Sequence, residues 1–232
     1  MIMKIFSLEN DIIFSEECIN VLQIQDKKLF ANVINSLNDN INGIQNTKER
    51  IIILDNDTEI KMEKEALMVI DLFNIDFNQK KIQSALYNKI EKIYKQEFER
   101  MSEFQTLFQK LQLNVLDVFN EFPFEFNYKD SIGIQEYLKL LGLKISNNKG
   151  EIIDKIFSLI DAVEYLSVAK LLIFVNLKLY LSDDELNEIY KYAMYKNVNI
   201  LLIETGEEKE PIKNEKILFV DSDYDEIVLY NK

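Results

Sequence analysis

Apolar residues at Leu29, Val33, Ile34 and Leu37 recur at helical spacing, predicting a helix that opens behind Asp26 as its N-cap. It dies in the polar run 38–42, with Gly43 beyond it. Ahead of it, residues 1–8, 11–15 and 20–25 read as short strands, and residues 50–54 are a buried-strand run stopped by Asp55-Asn56-Asp57. Residues 65–73 fit helix and strand equally. Further on, residues 170–175 predict a buried strand, Ser182 and Glu185 the capping box of a helix, and residues 198–204 a second strand. Strand, helix and strand of this length make a βαβ unit. An acidic loop over 207–215 then leads to closing strands at 216–220 and 226–230.

The middle of the chain is different. From Tyr94 the apolar positions run Phe98, Met101, Phe104, Phe108, Leu111, Val115, Val118 and Phe122, eight steps over 28 residues. A mean period of 3.5 keeps one stripe facing a partner helix, whereas a strand alternates every second residue. An unbroken helix over 78–122 would be about 67 Å long at ~1.5 Å per residue, so it must project or break. The expected break is at Gln112 to Asn114, and Pro123 sets the latest end. Residues 134–141, closed by Gly142, and residues 151–166 can each supply the facing stripe. These elements predict an α/β head over 1–77 and 167–232 and an inserted helical leg over 78–166.

Composition narrows the chemistry. The 232 residues are 47% hydrophobic and lack a Gly/Ser or Pro tract, so compact packing throughout is expected rather than disorder. Glu9 and Asp11 interrupt the early apolar residues and no run reaches the ~20 residues of a membrane span, so no membrane association and a cytoplasmic location are expected. The single cysteine, Cys18, and the absence of histidine exclude an internal disulfide, Cys-cluster zinc sites and every histidine-dependent catalytic arrangement. Carboxylate chemistry with hard metals remains open.

Charge is segregated. The net charge of −13 opposes nucleic acid binding unless positive charge gathers locally. Residues 78–110 carry seven basic against four acidic side chains, a net of +3, while residues 180–232 carry thirteen acids against six lysines, a net of −7. No two of the five glycines are placed to form a phosphate cradle, and GxxxxGK[ST] and GxGxxG are both absent. An α/β body lacking that loop is at most a degenerate nucleotide-binding fold. Two readings compete with a nucleic-acid-binding one: a nucleotide hydrolase using Asp55 or Asp57 to hold magnesium, and an oligomeric scaffold whose arm binds protein only.

The series LMVIDLFNIDFN at 67–78, QEYLKLLGLK at 135–144, AKLLIFVNLKLYLSDDEL at 169–186 and VNILLIE at 198–204 resembles the small CRISPR-associated adaptation protein of type II-A systems, the Csn-two family. The likeness spans nearly the whole chain and is weaker in residues 1–60 and in the middle of the arm. It implies an α/β head domain resembling a degenerate P-loop ATPase with an inserted long-helix leg. It also implies a non-catalytic, homotetrameric ring that binds double-stranded DNA through a lysine-lined channel, preferring free ends. Such a ring acts in spacer acquisition beside the CRISPR integrase and effector nuclease, and the family binds calcium.

On that resemblance Lys80, Lys81, Lys89, Lys92, Lys95 and Arg100, with Lys139 and Lys144, are the expected phosphate contacts, independent of sequence. The same lysines beside glutamates, such as Glu91 with Lys95, would also suit a solvated helix face. The family's calcium ligands fall in an acidic stretch that here reads NEFPFEFNYKD. Glu125 and Asp130 align with acidic positions, Asn127 stands where a carboxylate is expected, and Glu121 lies just upstream. A metal-free hinge is the alternative there.

Overall fold

The computed structural model describes residues 1–44, 47–146 and 150–231. They form two compact units, residues 1–76 with 147–232, and residues 77–146.

The first unit is built on a six-stranded sheet. The strands are β1 (Ile2–Ile5), β2 (Ile12–Ile13), β3 (Ile19–Ile24), β4 (Ile51–Asp55), β5 (Thr58–Ile60), β6 (Ala66–Val69), β7 (Leu171–Val175), β8 (Asn199–Thr205), β9 (Glu215–Val220) and β10 (Glu226–Asn231). The large sheet runs β10-β9-β3-β8-β7-β6, parallel except for β10. Register is set by Val21 opposite both Leu202 and Ile217, and by Ile173 opposite Leu201. Every residue of β3 and of β7 is buried, which is why both read as continuous apolar runs: a parallel sheet is covered on both faces. A smaller antiparallel sheet, β2-β1-β4-β5, holds Met3 opposite Ile53.

Helix α1 (Lys27–Ile41) follows β3 after only Gln25 and Asp26, and the Asp26 carboxylate caps it by accepting the Leu29 N–H at 2.7 Å. Its buried Leu29, Val33 and Leu37 share one apolar cluster with Met3, Ile5, Ile51 and Ile53 of the small sheet and Leu22, Ile24, Leu201, Ile203, Leu218 and Val220 of the large one. The 65–73 segment that fitted helix or strand is strand over β6, entered directly from a short α2 (Met62–Glu65), and neither beyond Val69. The β7–α7–β8 crossover is parallel as expected, with α7 (Asp183–Tyr195) opened by the Ser182/Glu185 capping box. Strand β5 has no counterpart in the sequence reading. Asn56 and Asp57, both at positive φ, turn β4 back on itself to make it.

The inserted helices depart from expectation in two ways. The arm breaks at Glu97, whose extended backbone (φ −110°, ψ 90°) separates α3 (Lys80–Gln96) from α4 (Phe98–Phe119), so the chain is unbroken at 112–114 and turned fifteen residues earlier. Across the break Phe104 of α4 meets Tyr94 of α3 edge-on, with ring centroids 6.2 Å apart. The second departure concerns α6 (Ile152–Leu166), assigned above to the leg. It groups with the sheet unit, where Phe157 packs edge-on against Tyr192 of α7 at 4.9 Å and Asp161 accepts the Tyr192 hydroxyl at 2.7 Å. Its stripe of Ile156, Leu159, Ile160 and Val163 is fully buried. The stripe facing α3 and α4 comes instead from α5 (Ile134–Leu140), through Ile134 and Leu138.

Candidate nucleic-acid interface

All eight predicted cationic residues lie in the second unit, and five of them, Lys80, Lys81, Lys89, Lys92 and Lys95, are on α3. At ~100° per residue Ile82, Leu86, Tyr87, Ile90 and Tyr94 occupy one side of α3, and Ile82 and Tyr87 are buried. Lys81, Lys92 and Lys95 fall on the opposite side, with the small exposed Ser84 and Asn88 among them. Lys89 and Lys80 lie at its two margins. From Lys81 to Lys95 the face is about 21 Å long.

Helix α5 runs antiparallel along one edge of this face. Gln135 Nε2 donates to Asn88 Oδ1 at 2.9 Å and to Glu91 Oε2 at 2.5 Å, while Gln83 and the Tyr87 hydroxyl both donate to the Leu143 carbonyl. Lys139, one turn beyond Gln135 on the same side of α5, is thereby placed alongside the lysines of α3, and Lys144 follows directly on the anchored Leu143. Both are exposed. Gly142, at φ +60°, ends α5 and lets the chain turn back along α3.

Lys95 and Arg100 are partly neutralised. Lys95 pairs with Glu91 at 2.9 Å and Arg100 with Glu97 at 2.7 Å, the latter on α4 beyond the break. Glu91 is held below the usual carboxylate range by Lys95 first and then by Gln135. The pairs are exposed, 64% for Lys95 and 58% for Arg100, so each is worth little in water and exchangeable for another anion. The solvated-face alternative thus describes Lys95 and Arg100 as they stand.

The expected calcium ligands are less well placed. Glu121, Glu125, Asn127 and Asp130 are all exposed on the irregular segment after α4, and among the described residues no three His, Cys, Asp or Glu side chains form a group that could hold a metal. Calcium takes six to eight oxygens, a number these residues do not bring together in this chain. The neighbouring order is aromatic: Phe126 packs on Phe119 at 4.5 Å and on Phe122 at 5.9 Å.

A feature the sequence reading missed is the surplus of the α4 stripe. Only Met101 and Phe104 join the cluster with Tyr87, Ile134 and Leu138. No α4 residue is fully buried, and Leu111, Val115 and Val118, with Phe122 just beyond the helix, stay largely exposed at intervals of four, three and four. The 3.5-residue period carried that signal, but assigning the whole stripe to one intramolecular partner hid it.

The carboxyl ends of the parallel strands are closed by the chain itself. The Asp26 carboxylate sits on the N-terminus of α1, Gln23 donates to the Glu207 carbonyl, and the Gln25 amide oxygen accepts the Ser222 N–H at 3.2 Å. Asp55 is in the hairpin turn of the small sheet rather than at the end of a parallel strand. It is paired with Lys170 at 2.7 Å, which holds its carboxyl below the usual range.

The model of the CRISPR-associated protein (Cas_Csn2) family matches residues 43–224. The chain belongs to the Csn2 family. Two curated Csn2 proteins are similar to it: one from Streptococcus agalactiae, 24% identical over 79% of this chain and 80% of that protein, and one from Enterococcus faecalis, 30% identical over 60% and 64% respectively. In fold it is similar to the crystal structure of Stu0660 of Streptococcus thermophilus, with a TM-score of 0.62 at 13% identity, covering the whole of this chain and 77% of that one. Family membership places this Csn2 chain among CRISPR-associated proteins, and none of these names is enzymatic. Among its described residues, no helix is long and apolar enough to cross a membrane.

Proposed function

We propose that this Csn2-family protein binds double-stranded DNA without sequence preference or catalysis, and that it acts in CRISPR spacer acquisition as a ring-shaped homotetramer beside the integrase and effector nuclease. The observation that carries this is the basic face of α3. A chain with a net charge of −13 collects Lys81, Lys92 and Lys95 on one side of a helix and flanks them with Lys80, Lys89, Lys139 and Lys144. Such a face offers point charges to phosphates, contacts that carry no sequence information. The exposed Leu111 to Phe122 stripe supports self-assembly, because a heptad-like seam left uncovered among the described residues suits a helix of another copy. Several copies around one axis would line a hole with lysines.

The order of the parallel strands supports a head related to P-loop ATPases, with β3 central and α1 following it directly. The hydrolase alternative gains nothing from the geometry. A phosphate at the α1 N-terminus would meet the Asp26 carboxylate, and Asp55 is not where a magnesium ligand is needed. Gel shifts on linear and covalently closed duplex, run beside light scattering, test the proposal. Salt-sensitive binding of all linear sequences by an oligomer is expected. A monomer that ignores linear duplex at low salt defeats it.

A further inference from the structure

Three charged side chains are buried together in the sheet unit: Glu215 (0% exposed), Glu204 (4%) and Lys178 (9% for its side chain). Lys178 lies in the short 3-10 turn Leu177–Leu179 after β7. Its Nζ donates to both Glu215 oxygens, at 2.8 and 3.0 Å. The Tyr190 hydroxyl of α7 donates to Glu215 Oε1 at 2.7 Å and the Ile212 N–H to Oε2 at 3.0 Å, so Glu215 is fully satisfied. Glu204, on β8 in register with Gln23, accepts the Lys178 backbone N–H at 3.1 Å. The groups that act on this compartment from each side are Lys178 from the turn, Lys209 from the 206–214 loop, Tyr190 and Asp183 from α7, and Glu215 from β9.

One buried ammonium thus serves two buried carboxylates and is committed to Glu215. The compartment is neutral only with one proton bound, and burial raises the Glu204 carboxyl to about 7, ahead of the lowering effect of Lys178. Ionised, Glu204 keeps the backbone N–H groups of Leu177 and Lys178 and the attraction of Lys178 and Lys209, but these do not offset its burial, and entering water or a shift of the Lys178 ammonium would relieve the charge. Moving Lys178 away from Glu215 would loosen the carboxylate that holds Tyr190 and Ile212. The turn also presents Tyr180, whose ring packs edge-on at 5.1 Å against the exposed Phe73.

We propose that Glu204, Lys178 and Glu215 form a proton-operated clamp: protonated Glu204 holds the 176–180 turn and the 206–214 loop closed on the sheet, and its ionisation releases both. Release shifts the Phe73–Tyr180 surface, making that exposed aromatic pair sensitive to pH near neutrality.

The test uses the intact protein labelled with carboxyl-13C glutamate, with amide exchange measured at pH 6 and pH 8 and corrected for intrinsic rates. The Glu204 carboxyl is expected to titrate with a midpoint near 7, as its site dictates. Protection of the turn and loop amides should fall about tenfold between the two pH values. Glu204→Gln should keep the pH 6 protection at both. A Glu204 midpoint in the ordinary carboxylate range, or turn and loop protection that does not follow the Glu204 midpoint, overturns the clamp. So does a pH-dependent loss that persists in Glu204→Gln. Should that variant fail to fold, coincidence of the carboxyl and amide midpoints in the unaltered protein decides the matter.

Discussion

Replacing Lys92, Lys95 and Lys139 together by alanine probes the basic face with little risk to the fold. All three are exposed, and Glu91 keeps its bond from Gln135 when Lys95 is removed. If each lysine meets one phosphate, each contributes about −0.9 to the slope of log affinity against log salt. One engaged copy should therefore lose about 2.7 from the slope. At ~0.1 M salt each contact is worth about eightfold, so the triple variant should bind duplex on the order of 500-fold more weakly. Fluorescence anisotropy on a labelled linear duplex between roughly 50 and 200 mM salt, the range over which such slopes resolve, reads both quantities. Lys216→Ala, in the other unit, serves as control and should leave the slope alone. The effect should be the same on unrelated sequences, because phosphates carry no sequence information. A triple variant with unchanged slope and normal helicity refutes the assignment and moves the contact surface elsewhere.

Other expectations follow from the same geometry. Leu111→Asp with Val118→Asp puts charge on the exposed α4 seam and should lower the mass seen by light scattering while circular dichroism stays unchanged. An unaltered oligomer removes the seam from the assembly. Lys178→Met strands the Glu215 carboxylate in a site with no exposure and should cost about 3–5 kcal/mol, read from the denaturant midpoint. A loss under ~1 kcal/mol would mean that water replaces the ammonium. Glu204 gives a pH dependence of definite sign. Its folded-state pKa of about 7 lies above the ordinary 4.5, so the folded chain binds the extra proton between those values. Stability from this group is full below about pH 4.5 and is lost as pH rises through 7, by roughly 3 kcal/mol. Glu204→Gln should abolish that component, and denaturation curves at pH 5 and 8 would show it.

Much of the sheet unit was legible because its signals are local. Asp26 before the α1 stripe, Ser182 with Glu185 before α7, and the unbroken apolar runs of β3 and β7 each state a cap or a two-sided burial that does not depend on distant residues. The period of the arm and its lysines were legible for the same reason. What stayed hidden depended on competition between partners. Two stripes, at 134–141 and 152–166, could face the arm, and only packing decided that Ile134 and Leu138 do so while Ile156, Leu159 and Ile160 are buried in the sheet unit. The break at Glu97 carries no Pro or Gly. Across it Phe104 meets Tyr94, a contact that periodicity cannot report. The buried cluster was also out of reach, because Lys178, Glu204 and Glu215 are far apart in sequence and each reads as an ordinary surface charge until the sheet and α7 close over them. By itself, then, the sequence determined the elements, their caps and the segregation of charge, since those follow from neighbours a few residues away. Only the tertiary structure decided which stripe is satisfied, which is left exposed, and which charges lie out of water, because each is settled by comparing burials across the whole chain.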